Sequence, residues 1–329
     1  MKMKKIATKF SAVVLMAVAL TSCNKKTNEA PEADKEFQSA IDASAATMIA
    51  TDIDMIVSQA SEYAYLASYR QSTAPGSGVV SVVRDTTNKL NTITFINARC
   101  VDGKFRNGVI SINYAGGTPA QLYMRNPGHV SNVTFSNYSI NQYKIAGTGS
   151  SMKITNTTAA GYSRSVTPIT WKLEGELLII DTTKSKTDVD IKWQGPLVKT
   201  LTNSTSNTVH PATNLPLVWT TTNTAVKPNA INAIISYAGE VKGFTNKNEN
   251  YTFKIMDDMK LTRDFGCSPD FYINPEFHPF TKGKVEFKTG GDDKAMRYLY
   301  FGDEKNQGYC DNSGIININS VSYTIDFKH

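Results

Sequence analysis

From Gly78 onward, apolar and polar residues alternate with a period of two, the spacing of strands with one covered face. Gly78–Arg84, Thr92–Ile96, Val109–Tyr114, Gln121–Met124, Val133–Phe135, Tyr143–Ile145 and Met152–Thr155 all carry it. So do Ile169–Trp171, Glu176–Ile180, Val189–Trp193, Leu217–Trp219, Tyr251–Ile255, Lys284–Phe287, Tyr298–Phe301, Ile315–Ile318 and Tyr323–Phe327. Gly, Asn and Asp stand between these runs, and no helical pattern alternates with them. The expectation is a mainly β fold, an antiparallel sandwich or roll of many short strands. The Thr/Asn-rich run Thr200–Thr208 is a candidate break, dividing 78–329 into units 78–205 and 210–329.

Before the strands the period is different. Ile41, Met48 and Met55 recur every seven residues, as do Ile49, Ile56 and Tyr63, and no Pro or Gly appears before Pro75-Gly76. Two adjacent apolar rows make one helix face, so 36–70 is predicted to be an amphipathic helical segment with its stripe against the sheet. Asn24–Lys35 is polar with no apolar period and reads as a flexible tether, 23–35, reaching about 40 Å at most. At the start, Lys2, Lys4, Lys5 and Lys9 precede the apolar run Ser11–Leu20. A run of that length falls short of the ~20 residues needed to span a bilayer and reads as a cleaved export signal over 1–22.

Leu20-Thr21-Ser22-Cys23 resembles the lipobox of bacterial lipoproteins, in which the cysteine becomes the lipidated first residue of the mature chain. The resemblance implies lipidation of Cys23 and attachment to a membrane through that lipid. Downstream, Cys100–Gly108, Val109–Tyr114 and Asn137–Asn141, with Gly283–Phe287, Phe301-Gly302 and Cys310-Asp311-Asn312, are similar to an uncharacterised Bacteroidetes-type lipoprotein family with a lipobox, an N-terminal helix and β-rich repeats. Surface-exported members carry acidic residues after the lipidated cysteine, whereas Asn24-Lys25-Lys26 stands here. The implied address is the cell envelope at the outer membrane, on the periplasmic face or the cell surface.

Cleavage before Cys23 removes 22 of 329 residues and leaves 307. It also removes four of the 35 Lys+Arg, so 31 basic residues face 29 acidic ones, and the formal +6 falls to about +2. That balance lacks the basic excess of a nucleic-acid binder. Beyond Cys23 there remain Cys100, Cys267 and Cys310; an oxidising compartment favours one disulfide and one free thiol over three unpaired thiols, and of the three pairings the candidate is Cys267–Cys310, both at strand boundaries in the C-terminal part, contributing roughly 4 kcal/mol in the chain-entropy picture.

Candidate chemistry is sparse. The four histidines, His129, His210, His278 and His329, lack zinc-helix spacing. Ser150-Ser-Met-Lys153 and Lys288-Thr-Gly290 match two elements of penicillin-recognising enzymes, but Ser150 leads into a strand where that machinery needs a helix. The clusters Gly290–Asp293, Gly302–Glu304 and Cys310–Asn312 read as turns. Trp171, Trp193 and Trp219 are the candidates for a sugar-stacking platform, against core packing of the same strand residues. No catalytic, cofactor-binding or metal residue is assigned. The expected role is non-catalytic binding or structure in the envelope, with polysaccharide or envelope proteins as partners. The alternatives are a glycan-binding accessory of a nutrient-uptake system and a hydrolase with a site dispersed along the chain.

Overall fold

The computed structural model describes residues 33–62, 78–100, 104–114, 124–159, 168–184, 189–204, 233–264, 280–290, 296–302, 313–318 and 321–326. Among the described residues one helix, α1 (Ala33–Glu62), precedes the strands. These are β1 (Val79–Asp85), β2 (Leu90–Arg99), β3 (Phe105–Asn113), β4 (Val130–Ile140), β5 (Tyr143–Ile145), β6 (Ser151–Asn156), β7 (Ile169–Asp181) and β8 (Ile191–Gln194). They continue with β9 (Leu197–Ser204), β10 (Ala233–Phe244), β11 (Asn250–Ile255), β12 (Leu261–Asp264), β13 (Gly283–Thr289), β14 (Arg297–Phe301), β15 (Ser313–Ile318) and β16 (Val321–Asp326).

All sixteen described strands join one antiparallel sheet, in the order β1-β2-β3-β4-β5-β7-β8-β10-β11-β13-β14-β15-β16. The sheet forks where long strands take two neighbours on a side. β6 pairs with β4 and β7, β9 with β7 and β10, and β12 with β10. The antiparallel, many-stranded expectation is met. The sheet also runs unbroken past Thr200–Thr208, because β10 pairs with both β8 and β9.

Period-two patterning sets which side chains face inward. In β13, Val285 and Phe287 are buried while Lys284 and Glu286 are not, and each row continues across β14 and β15. Two bulges interrupt the alternation near the start of the sheet. Ile96-Asn97 in β2 and Ser136-Asn137 in β4 are consecutive exposed pairs, and both asparagines have positive φ (43° and 50°). Between them lies Gly108 of β3, at φ +92°, where a Cβ would sit 2.2 Å from the Asn137 carbonyl oxygen. Aligned bulges increase local twist and coil the sheet. At the β1–β2 turn, Asp85 Oδ1 accepts from the backbone N–H of Thr87 (3.0 Å) and Asn88 (2.8 Å).

The helix departs from expectation. An amphipathic stripe would leave one face in solvent, yet from Asp42 through Val57 every side chain is buried. Helix and sheet share one core, running from Ala40 through Val80 of β1 to Ile325 of β16. The reason is side-chain size. Between Ile41 and Ala60 there is no Lys, Arg or Glu; apart from Gln59, the positions not held by Ile, Met or Val are Ala, Ser, Thr and Asp, short enough for the sheet to approach closely. Three hydroxyls are satisfied within the helix: Thr47 donates to the Ala43 carbonyl (2.9 Å), Thr51 to that of Met48 (3.0 Å) and Ser58 to that of Asp54 (2.8 Å). Of the predicted 36–70 segment, residues 63–70 lie outside the described residues. No helix among the described residues is long and apolar enough to cross a membrane.

Candidate functional site

Among the described residues, buried ionisable groups gather between α1 and the inner face of the sheet. Asp52 and Asp54 come ten and twelve residues after Asp42. At about 100° per residue they point about 280° and 120° around the helix from it. The three carboxylates therefore leave the helix in three directions, and each meets a different part of the sheet.

Asp52 meets the start of β3. Lys104 Nζ lies 2.5 Å from Oδ1, and Arg106 Nη2 donates to Oδ2 at 2.9 Å and to Oδ1 at 3.1 Å. All three side chains are buried. Burial alone would raise the Asp52 carboxyl, but Arg106 and Lys104 outweigh it and hold the group well below the usual carboxylate range. This site is ionised at every ordinary pH.

Asp54 meets β9. Lys199 Nζ donates to its two oxygens at 2.8 and 2.9 Å and to Ser58 Oγ at 3.1 Å. The same ammonium lies 4.4 Å from the centre of the Trp171 ring, which pairs with Lys199 across β7 and β9. Here burial wins. It pushes the Asp54 carboxyl up against the pull of Lys199 and, more weakly, Arg263. Arg263 of β12 approaches the helix through Thr51, its Nη2 3.4 Å from Oγ1.

Asp42 meets the β10–β11 turn. Its oxygens accept from Gln38 Nε2 (2.7 Å) and the Asn246 backbone N–H (3.1 Å), and burial again raises the carboxyl. Nearby, Glu249 Oε2 accepts from Ser39 (2.8 Å) and Thr289 (3.3 Å). At the other end of the helix, Arg84 of β1 donates from Nη2 to the Ala60 carbonyl at 2.6 Å, a cation on an orphaned carbonyl of the last turn.

These inward cations were missed by motif reading, although parity marks them. Arg106 shares the inward rows of Ile110 and Ile112; Lys199 sits between Leu197 and Leu201; Arg263 follows Leu261 by two. A cation on the apolar parity of a strand is the readable sign of a buried partner.

The residues singled out from sequence fall elsewhere. Trp171 and Trp193 are core side chains, 4% and 0% exposed, and Trp171 Nε1 donates to the Met124 carbonyl at 2.8 Å. Neither presents a ring face to a sugar, so core packing accounts for both. Trp219 lies outside the described residues, as do Cys23, Cys267 and Cys310, together with His210, His278, His329 and the three acidic clusters apart from Gly290 and Gly302. Cys100 is buried, its thiol 3.7 Å from the Ala98 carbonyl. Ser150 is a turn residue whose Oγ accepts from the Leu178 N–H (2.9 Å), and Lys153 lies on β6, so no helix presents the pair. Thr289 of the second motif serves Glu249.

One contact has the form of a nucleophile and a base: His129 Nε2 and Ser131 Oγ are 2.8 Å apart. Both are buried, at 2% and 0% exposure, on neighbouring same-face positions at the start of β4. A substrate carbonyl has no approach to a serine in that setting, and the contact satisfies two core polar groups. Among the described residues no group of three or more His, Cys, Asp or Glu is placed to hold a metal ion.

No family model, curated protein or solved structure matches the chain.

Proposed function

We propose that this chain is an exported, lipid-anchored protein of the cell envelope, with a binding or structural role and no chemistry of its own. The observation that carries the reading is Leu20-Thr21-Ser22-Cys23, placed directly after a cationic start and a short apolar run. Nine residues, 24–32, then separate Cys23 from α1. Multiple acyl chains on Cys23 provide stable retention where one would be marginal, since each buried methylene contributes about 0.8 kcal/mol. The non-catalytic part is supported by the use made of the ionisable interior. Asp52, Asp54, Lys104, Arg106 and Lys199 are paired with one another and hold helix to sheet. Groups so paired and buried are turned to one another and away from solvent.

The test is fractionation of cells that make the full chain and its Cys23→Ser variant. The parent should sediment with membranes and carry a lipid-modified amino-terminal cysteine by mass spectrometry; the variant should move to the soluble fraction. A variant that still sediments, or a parent amino terminus that retains residues 1–22, overturns the anchor.

A further inference from the structure

The sheet has two ends, and among the described residues β1 pairs with β2 alone. Native sheets usually blunt such an end with lysine, proline, a bulge or a short strand. Here the edge strand opens Val79-Val80-Ser81-Val82-Val83 without lysine, proline or bulge, its charges Arg84 and Asp85 standing only at the far end, and its register with β2 is unbroken from Val79↔Ile96 to Asp85↔Leu90. Val79 is 44% exposed and Val83 62%, and Ile96, beside Val79 across the ladder, is 53% exposed. At the other end of the sheet, the exposed Val321 and Tyr323 sit in rows with the inward-facing Ile318 and Ile316, so no outward apolar strip forms there.

The five residues read the same in both directions. A two-fold interface requires a patch that complements itself, with residue i meeting j and j meeting i. Antiparallel pairing of two such strands about Ser81 sets Val79 opposite Val83, Val80 opposite Val82, and Ser81 opposite its own copy. Each exposed valine then covers another, Ile96 extends the outward strip, and Arg84 falls opposite Gly78, so no like charges meet. We propose that β1 is a dimerisation edge, joining two copies of this chain into one continuous sheet by antiparallel β1–β1 pairing centred on Ser81.

The full chain, purified in non-ionic detergent, should sediment at micromolar concentration with the protein mass of two chains. Because Val79 and Val83 are exposed, V79K/V83K should keep the parent's circular dichroism and fall to the mass of one chain. Register is read by cysteine pairing. Opposed residues of antiparallel strands lie about 4.5–5.5 Å apart at Cα, within disulfide reach. Ser81→Cys should therefore give a dimer linked by a disulfide between the two copies of position 81, identified by peptide mass spectrometry. In the same register the two copies of Val83 stand four residues out of step, roughly 13 Å apart, and Val83→Cys should give no self-linked dimer. A parent with single-chain mass, a V79K/V83K variant that remains dimeric, or Val83→Cys linking as readily as Ser81→Cys each overturns the proposal.

Discussion

Replacing Lys199 by methionine is the sharpest probe of how α1 is held. The substitution keeps most of the stem volume and removes one charge. It strips Asp54 of a partner at 2.8 and 2.9 Å and takes the cation from the Trp171 ring at 4.4 Å. Two unit charges ~4 Å apart attract by about 4 kcal/mol at an effective dielectric near 20. Breaking one side of a buried pair characteristically costs 3–5 kcal/mol, because the remaining charge has neither water nor partner. Lys199→Met should accordingly lose roughly 3–5 kcal/mol at pH 7, read as a lower urea midpoint by tryptophan fluorescence. The pH dependence has a definite sign. Asp54 is already raised in the folded protein, and losing Lys199 raises it further, so the folded state binds a proton that the unfolded chain, with a carboxyl near 3.9, releases. The deficit is complete above the folded value and shrinks as pH falls toward about 4. Asp54→Leu combined with Lys199→Met removes both charges and should recover to within about 1 kcal/mol of the parent. A Lys199→Met protein within about 0.5 kcal/mol of the parent at pH 7, or one whose deficit grows on acidification, would refute this account.

Asp52 has the opposite sign: its folded carboxyl is depressed, so the stability it contributes is present above about pH 4 and is lost as pH falls below it. Asp52→Asn should flatten the acid limb of a urea-stability profile between pH 5 and 2 while lowering stability at pH 7. Arg84→Ala removes the donor to the Ala60 carbonyl and should cost about 1 kcal/mol, with faster amide exchange confined to the last turn of α1. Gly108→Ala combines φ +92° with a contact 2.2 Å from the Asn137 oxygen, so it should destabilise by more than about 2 kcal/mol in thermal melts. Trp171→Phe deletes the hydrogen bond to Met124 and weakens the cation–π contact, at a cost of about 1–2 kcal/mol; added polysaccharide should leave fluorescence from Trp171 and Trp193 unchanged.

Strands with unbroken alternation were legible because each has one covered face. Val285 and Phe287 inside with Lys284 and Glu286 outside is the pattern read directly from the residues. The helix was legible as a helix, yet its surroundings were misjudged. Rows of Ile and Met at heptad spacing suggested a single stripe, while the informative feature was what the other positions lacked. No residue from Ile41 to Ala60 carries a long charged side chain, and a helix face bathed in water seldom goes twenty residues without one. The ion pairs were hidden for a different reason. Asp54 and Lys199 are 145 residues apart, and no local pattern links them. Only their placement gives them away: an aspartate in an alanine-rich helix and a lysine on the apolar parity of a strand are each costly until the other is supplied. The tryptophans carried no such mark, because a strand tryptophan facing a core and one facing a ligand look alike in sequence.

The three carboxylates also explain why this interior is polar at all. Apolar side chains of similar volume could hold a helix against a sheet at least as firmly, so affinity alone does not account for buried charge. Direction does. A helix lined all round by Ala, Ile, Met and Thr can rotate or slide by a turn inside a curved sheet and still find apolar contact. Asp42, Asp52 and Asp54 forbid this, because each has its donors at one place only: the β10–β11 turn, the start of β3 and the middle of β9. A rotation of one residue, about 100°, would detach all three at once and strand two buried cations beside Asp52 and one beside Asp54. Single orientation, rather than added stability, is what the ionic interior secures. Neutralising Asp54 and Lys199 together should therefore leave the stability close to the parent's while α1 is held less firmly on its β9 side, visible as added exchange broadening of the Ile53 and Ile56 methyl resonances. Sharp, unshifted methyl signals in that double variant would show that Asp54 adds nothing to the orientation already set by Asp42, Asp52 and apolar packing.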